Sequence, residues 1–215
     1  MPLQYEVIVN GPFGENCYLV WDDASGKGIF IDPGDEPERL LAVAARRNVA
    51  VEGICNTHGH IDHVGAVAAI RSALRVPFAL HPDEAPVLKS LPMQAALFGL
   101  PAPAMPEVDI RLADGAAVTA GGVAGTVICT PGHTPGGVCF LFENLLFCGD
   151  TLFAGSIGRS DLPGGNGRQL ITAIRERLLC LADGIIVLPG HGPASTIGEE
   201  RKTNPFLGQG SRFDF

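Results

Sequence analysis

A chain of 215 residues with a formal net charge of −8 and 46% hydrophobic residues can form one large domain or two small ones. No apolar run is long enough to cross a bilayer, so we expect no membrane association. The acidic balance, without a cluster of lysine or arginine, argues against nucleic acid as the main partner. Since residues 1–6 lack the basic flank and apolar core of a secretion signal, we expect a cytoplasmic protein.

The hydrophobic pattern predicts the elements of the first part of the chain in this order: strands at 3–9, 16–21 and 28–32, a helix from 35 to about 47, a strand at 51–55, a helix at 64–74 and a strand at 76–80. Asp35 is the expected N-cap of the first helix, and Pro37 suits its first turn.

Residues 82–107 contain six prolines and read as short helical pieces and loop. This segment is either a lid over a site, since loops carry function, or a proline-rich surface connection. Strands dominate from 109 to 147. A helix is expected at 166–181 and a buried strand at 185–188, and the tail from 208 on is expected to be loosely held.

The six cysteines show no CxxC pair, and most lie inside apolar runs. They are therefore expected to be reduced, buried, small hydrophobic residues. The six are Cys17, Cys55, Cys129, Cys139, Cys148 and Cys180.

Three histidines and an aspartate fall within six residues, between the strand at 51–55 and the helix that follows. Their nitrogen and oxygen atoms are donors that zinc, iron or manganese accepts. His58 and His60 lie two apart and point the same way in an extended segment, so they can share one ion. Asp62 and His63 are adjacent and diverge, so they more naturally reach a second ion.

Four apolar strands each lead through a short turn to a residue that can bind metal. Because the ends of neighbouring strands converge, we expect these residues to meet at one rim of the sheet. They are His58, His133, Asp150 and His191.

These motifs resemble those of the metallo-β-lactamase superfamily in type and in order, over residues 3 to about 207. The resemblance implies a four-layer αβ/βα sandwich and two divalent metal ions, zinc by preference, with iron or manganese as alternatives. It also implies the metal ligands: His58, His60 and His133 for the first ion, Asp62, His63 and His191 for the second, and Asp150 as a bridge between both. Asp62 and Asp150 are implied as catalytic carboxylates. Asp32 is implied to orient the ligand loop without binding metal itself.

Within that superfamily the segments 131–136, 149–153, 190–192 and 198–206 resemble glyoxalase II, the hydroxyacylglutathione hydrolase. The helical insert of that family is missing, so we expect a single domain over 1–215 without a C-terminal glutathione-binding domain. Arg159 stands where the family has a glutathione-binding lysine, and no tyrosine follows it. The resemblance implies hydrolysis of a small-molecule thioester, S-D-lactoylglutathione or a related one, by a hydroxide that two metal ions share.

The main alternative on the same scaffold is an iron-dependent persulfide dioxygenase, because residues 158–161 are also similar to a segment of that family. β-Lactam hydrolysis, a diiron flavoprotein module, a nuclease and a non-catalytic binding module fit the sequence less well. The oligomeric state is not indicated by the sequence.

Overall fold

The computed structural model describes residues 3–207, which form two facing six-stranded sheets with helices on their outer sides. In chain order the elements are β1 (Leu3–Asn10), β2 (Glu15–Asp22), β3 (Lys27–Ile31), α1 (Pro37–Arg46), β4 (Ala50–Cys55), α2 (Ile61–Val64), α3 (Val67–Leu74), β5 (Phe78–Leu80), a 3-10 turn (Pro82–Glu84), α4 (Ala85–Lys89), α5 (Leu91–Phe98), β6 (Ile110–Arg111), β7 (Ala117–Ala120), β8 (Val123–Cys129), β9 (Val138–Phe142), β10 (Leu145–Gly149), β11 (Leu152–Phe153), β12 (Ser156–Ile157), α6 (Gly167–Ala173) with a π-helical continuation (Ile174–Leu178), β13 (Ile186–Pro189), β14 (Ser195–Thr196) and α7 (Ile197–Thr203).

The first sheet has the order β1-β2-β3-β4-β5-β6, antiparallel from β1 to β3 and parallel from β3 to β6. The second has the order β14-β13-β10-β9-β8-β7, in which only the β10–β13 pair is parallel. A separate hairpin pairs β11 with β12. Each parallel pair of the first sheet is joined by a segment that contains helix, as crossover connections require.

The core has three layers, because both faces of each sheet are covered. Along β2, Tyr18 and Val20 point between the sheets, whereas Cys17 and Leu19 point towards α1 and α3. The space between the sheets is filled from the second sheet by three phenylalanines, Phe140, Phe142 and Phe147. A third cluster packs α6 on the outer face of the second sheet. The expected αβ/βα sandwich is therefore confirmed.

Several local predictions need correction. Glu36, not Asp35, precedes α1; it has a left-handed backbone (φ 53°), and its side chain does not cap the helix. Asp35 Oδ1 instead accepts a hydrogen bond from the Glu36 N–H. The predicted helix at 64–74 is two helices, α2 and α3, so Asp62 and His63 lie on a helix rather than before one. The predicted helix at 166–181 ends at Leu178.

The cysteine prediction holds for four of the six residues. Cys180 is exposed and Cys129 is partly exposed, whereas the others are buried, and all six are free. Cys148 lies in β10, where burial raises the pKa of its thiol, so it is not a nucleophile near neutral pH. The prediction about the tail from 208 on concerns residues outside the described range. Among residues 3–207 no helix has both the length and the apolar character needed to cross a membrane.

Candidate metal centre

The candidate ligands meet at a rim that the two sheets share, not at the edge of one sheet as the sequence suggested. His58 follows β4 of the first sheet, whereas His133, Asp150 and His191 follow strands of the second. Hydrogen bonds join the sheets here, since the Asn16 N–H donates to the carbonyl of Gly190 (2.7 Å). The strand ends of both layers therefore deliver side chains to one place.

A glycine allows this close approach. Gly149, the last residue of β10, has a φ of +48°, and a Cβ there would lie 2.1 Å from Thr57 Oγ1. Any side chain at this position would collide with the loop that leads to His58, and it would also strain the backbone. The loop after β10 can therefore place Asp150 directly beside the histidines.

The first ligand group consists of His58, His60 and His133, whose ligand atoms lie within 4.8 Å of one another. His133 Nε2 is 3.3 Å from His58 Nε2 and 3.0 Å from His60 Nδ1. Ring nitrogens of three histidines that face one another are a set of ligands that a divalent ion accepts.

The second ligand group consists of Asp62, His63 and His191, with the same upper limit of 4.8 Å between ligand atoms. His191 Nε2 lies 3.3 Å from Asp62 Oδ2, and His63 Nε2 lies 3.9 Å from the same oxygen. Asp62 and His63 are neighbours on α2, and both side chains reach this group.

Asp150 stands between the two groups. Its Oδ2 is 3.5 Å from His133 Nε2, and its Oδ1 is 3.4 Å from His63 Nε2 and 3.7 Å from His191 Nε2. His63 Nε2 and Asp150 Oδ1 are both buried and make no hydrogen bond of good geometry within the described part of the chain. A buried polar atom without a partner is costly, so these two atoms fit metal ligands. The seven side chains can thus hold two ions, with Asp150 as a ligand of both.

Hydrogen bonds behind the ligands fix which ring nitrogen faces the centre. His133 Nδ1 donates to the carbonyl of Arg159 (2.7 Å), which leaves Nε2 as the acceptor atom. His63 Nδ1 donates to Asp32 Oδ2 (3.1 Å), so Nε2 is the ring nitrogen that faces Asp150. Asp32 also accepts hydrogen bonds from the backbone N–H and the hydroxyl of Thr57 (2.7 and 2.6 Å), so it contacts the ligand loop directly.

The pKa values of these groups differ between the two sides of the cluster. Burial lowers the pKa of His58 and of His133, and it lowers the pKa of His60 to about 3, so these rings are neutral at pH 7. Burial also opposes a charge on His63, but the carboxylates of Asp150 and Asp62 outweigh it and raise the pKa of His63. Burial disfavours the charged form of Asp150, and the facing histidines outweigh burial and lower its pKa.

Two side chains from the segment 82–107 reach the ligand loops, and no sequence pattern predicted these contacts. Glu84 is fully buried and accepts hydrogen bonds from the N–H groups of Gly59 and Gly136 (2.7 Å each). Gln94 Oε1 accepts from the N–H of Ile61 (2.9 Å). The first half of the predicted lid is therefore attached to the metal loops at two points. Whether this segment moves as a lid stays a prediction.

Five of the seven candidate ligands form the floor of a cleft of about 490 Å³. Its walls are largely apolar and come from α5, from the turn after β1 and from residues 159–163. Arg159 lines the cleft, and its guanidinium makes two hydrogen bonds of 2.8 Å to Asp161. Both side chains are more than half exposed, so this ion pair is a weak one.

Comparison with known proteins agrees with this geometry. The family model described as Metallo-beta-lactamase superfamily matches residues 10–195. The hydroxyacylglutathione hydrolase GloC of Haemophilus influenzae is 38% identical over 214 residues, which cover 95% of this chain and 98% of that protein.

Two crystal structures are similar over nearly the whole chain. The BLEG-1 B3 metallo-beta-lactamase has a TM-score of 0.90 at 37% identity, with 96% of this chain and all of that one covered. TTHA1623 in a di-iron-bound form has a TM-score of 0.85 at 40% identity, with 94% of this chain and all of that one covered. The match of the family model over most of the chain, together with these relatives, shows that the chain belongs to the metallo-β-lactamase superfamily.

Proposed function

We propose that this protein is a metal-dependent hydrolase that cleaves the thioester bond of small acyl thioesters, of which S-D-lactoylglutathione is one. The composition of the cleft carries the proposal. Among the described residues that line it, the titratable side chains are five candidate metal ligands and Arg159. Within residues 3–207 the lining of the cleft thus adds no histidine, carboxylic acid, lysine or tyrosine that could protonate a leaving group.

A thioester fits a site of this kind. A free thiol has a pKa of about 8.5, so the sulfur can depart as a thiolate without a general acid. In the reaction a C–O bond forms between water and the carbonyl carbon and the C–S bond breaks. Water loses two protons to solvent and the departing thiolate takes one up, so the products are a carboxylate, a thiol and one released proton. An amide or a phosphodiester would need more help with the charge on its leaving group.

The residues proposed to hold the metal are the seven described above, as two ions with Asp150 on both. When bound, such ions supply Lewis-acid chemistry that makes water nucleophilic near neutral pH and stabilises negative charge on a carbonyl oxygen. Asp62 and Asp150 are held ionised by the histidines around them, against the effect of burial, and the pKa of each is lowered. We assign both carboxylates the role of orienting the reacting water.

The metal can be zinc, iron or manganese, since imidazole and carboxylate donors suit all three. The di-iron form of TTHA1623 supports iron as an alternative to zinc. GloC supports the choice of a glutathione thioester, because it is a hydroxyacylglutathione hydrolase and aligns over nearly the full chain.

The test uses protein loaded with zinc or with iron and measures thiol release from S-D-lactoylglutathione. An oxygen electrode with glutathione persulfide runs in parallel, and so does a chromogenic cephalosporin, because BLEG-1 is a β-lactamase. Thiol release without oxygen uptake supports the proposal. Oxygen uptake without thioester cleavage would assign the protein to the dioxygenases instead, and cleavage of the cephalosporin alone would make it a β-lactamase.

A further inference from the structure

One side of the cleft is formed by large apolar side chains that remain exposed. Met93, Leu97 and Phe98 of α5 are 60%, 72% and 45% exposed, and Phe13 is 36% exposed. All four line the same cleft as the candidate metal ligands. We call these four residues the apolar wall. A cluster of exposed hydrophobic side chains in a recess indicates a binding surface, whereas isolated exposed ones are ordinary.

The apolar wall joins two distant parts of the chain. Phe13 lies in the turn between β1 and β2, and Phe98 ends α5. Their rings pack edge to face with centroids 4.9 Å apart and planes at 78°. This contact holds the turn and the helix against each other, so that both contribute to one continuous surface.

The wall is also fixed relative to the metal centre. Gln94 accepts a hydrogen bond from the N–H of Ile61, the residue before Asp62, and its amide nitrogen donates to the carbonyl of Val87 and the hydroxyl of Ser90. Since Gln94 lies between Met93 and Leu97 on α5, the apolar side chains keep a set distance from the second ligand group. A group bound on the wall would therefore be positioned relative to the reacting carbonyl.

We propose that the apolar wall binds the acyl chain of the substrate and that the preferred substrates carry an apolar, medium-length acyl group. The inference rests on the thioester hydrolysis proposed above. A lactoyl group is small and bears a hydroxyl, so it cannot cover four large side chains. The carboxylates of a thiol carrier match Arg159, a cationic side chain that lines the cleft, so the hydrocarbon part of the substrate is left to bind the apolar wall.

A small molecule suits this surface better than a second copy of the chain. The wall continues into the floor formed by His60, Asp62, His133, Asp150 and His191. The recess measures about 490 Å³, within the range of roughly 300–1,000 Å³ that is usual for small-molecule sites. A partner that covered the wall would also close the entrance to the metal centre.

The experiment compares acetyl, butanoyl, hexanoyl and octanoyl thioesters of N-acetylcysteamine, an uncharged thiol, with the metal-loaded protein. We expect kcat/KM to rise about twofold for each added methylene up to hexanoyl. A twofold rise corresponds to about half of the free energy gained when a methylene group is completely buried. A profile that is flat or falls with chain length overturns the inference but leaves thioester hydrolysis standing. Absence of cleavage of any thioester, S-D-lactoylglutathione included, overturns both.

Two exposed methionines provide a matched pair of variants. Met93 is 60% exposed on the wall, and Met105 is 62% exposed outside the cleft. Met93→Ser and Leu97→Ser should each lower the hexanoyl-to-acetyl ratio of kcat/KM about fivefold, whereas Met105→Ser should not change it. Equal effects at Met93 and Met105 contradict the inference. If Leu97→Ser changes the sedimentation coefficient but leaves the hexanoyl-to-acetyl ratio unchanged, the apolar wall is a contact between copies of this chain and the inference is wrong.

Discussion

Glu84 and Gly59 are joined by a hydrogen bond of 2.7 Å from the backbone N–H of the glycine to the buried carboxylate. Gly59 separates His58 from His60, and the other carboxylate oxygen accepts from Gly136 on the loop of His133. One side chain thus sets the separation of the two loops that supply the first ligand group. Glu84 acts through the backbone N–H groups of Gly59 and Gly136 beside the ligands, so it is a positioning residue.

Glu84→Gln should weaken metal binding at the first ligand group. An amide has a single acceptor oxygen, so its NH2 group would face one of the two N–H donors and push that loop away. Loss of a contact behind metal ligands typically lowers metal affinity about 10- to 100-fold. Competition with a chromophoric zinc chelator measures the change. Glu52→Gln is the control, because Glu52 is an exposed glutamate that forms an ion pair with Lys27. Equal affinity in Glu84→Gln and the wild type would contradict the prediction.

Glu84 should also affect how the free energy of unfolding depends on pH. Burial raises the pKa of its carboxyl, and the hydrogen bonds from Gly59 and Gly136 offset this only in part. The folded protein therefore holds this proton more tightly than the unfolded chain. The stabilising contribution is complete below the ordinary pKa of about 4.3 and is lost as the pH rises through the raised value.

In Glu84→Gln this titration is absent. The free energy of unfolding of the wild type minus that of the variant should therefore fall as the pH rises from about 4 towards neutral. Urea unfolding of both proteins without metal, at several pH values, measures the difference, and effects of the histidines common to both cancel. A difference that grows with pH would mean that the hydrogen bonds outweigh the cost of burial.

The candidate ligands could be read from the sequence because their signal is local. His58, His60, Asp62 and His63 are packed into one motif, and each further candidate ligand follows an apolar strand and a short turn. The end of a strand determines where the residues after it lie, so a ligand that follows a predicted strand can be placed from the sequence. The pattern did not show that the strands belong to two sheets, because the pairing of strands is a property of the whole fold.

Other features could not be read because they depend on contacts between distant residues. Glu84 resembles any other glutamate in sequence, and its partners lie 25 and 52 residues away. The N-cap prediction failed for the same reason. Glu36 adopts its left-handed conformation where its side chain accepts a hydrogen bond from the N–H of Gly11 (2.9 Å), a tertiary contact that overrides the local preference of Asp35.

Asp150→Ala should remove both metal ions. The carboxylate faces both ligand groups, and without it His63 Nε2 and His133 Nε2 lose the ligand between them. We expect the wild type to bind two equivalents of zinc and the variant fewer than one, by elemental analysis after gel filtration. Asp23→Ala, at an exposed position, is the control. A wild type that never exceeds one equivalent in excess zinc or iron would contradict the dinuclear site and favour the dioxygenase.

Metal removal should also lower the thermal stability of the wild type. An ion that binds only the folded state raises Tm in proportion to the logarithm of its concentration over Kd. The buried cluster contains at least two polar atoms that lack a partner without metal. We expect a chelator to reduce Tm in the wild type and to have little effect in Asp150→Ala. Calorimetry with and without the chelator measures both; an equal decrease in the two proteins would show that the chelator acts elsewhere.

Arg159 and Asp161 offer the sharpest test of how a thiol carrier is held. Their exposed ion pair, with two hydrogen bonds of 2.8 Å, keeps the guanidinium at the cleft. Because the pair is exposed, it contributes little free energy and is easily replaced. A carboxylate of glutathione can replace Asp161 as the partner, because an arginine fork binds either one in the same geometry. Removal of the arginine and removal of its present partner should therefore have opposite effects on substrate binding.

Arg159→Ala should raise KM for S-D-lactoylglutathione about ten- to a hundredfold and leave kcat nearly unchanged, which corresponds to the loss of one charge-assisted contact in binding alone. Asp161→Ala should lower KM, since it frees the guanidinium and removes a competing carboxylate. Neither change should affect an N-acetylcysteamine thioester, which has no carboxylate. If Arg159→Ala instead lowers kcat on both substrates, the side chain of Arg159 serves to hold the loop whose backbone carbonyl accepts a hydrogen bond from His133 Nδ1, and the carrier is held elsewhere.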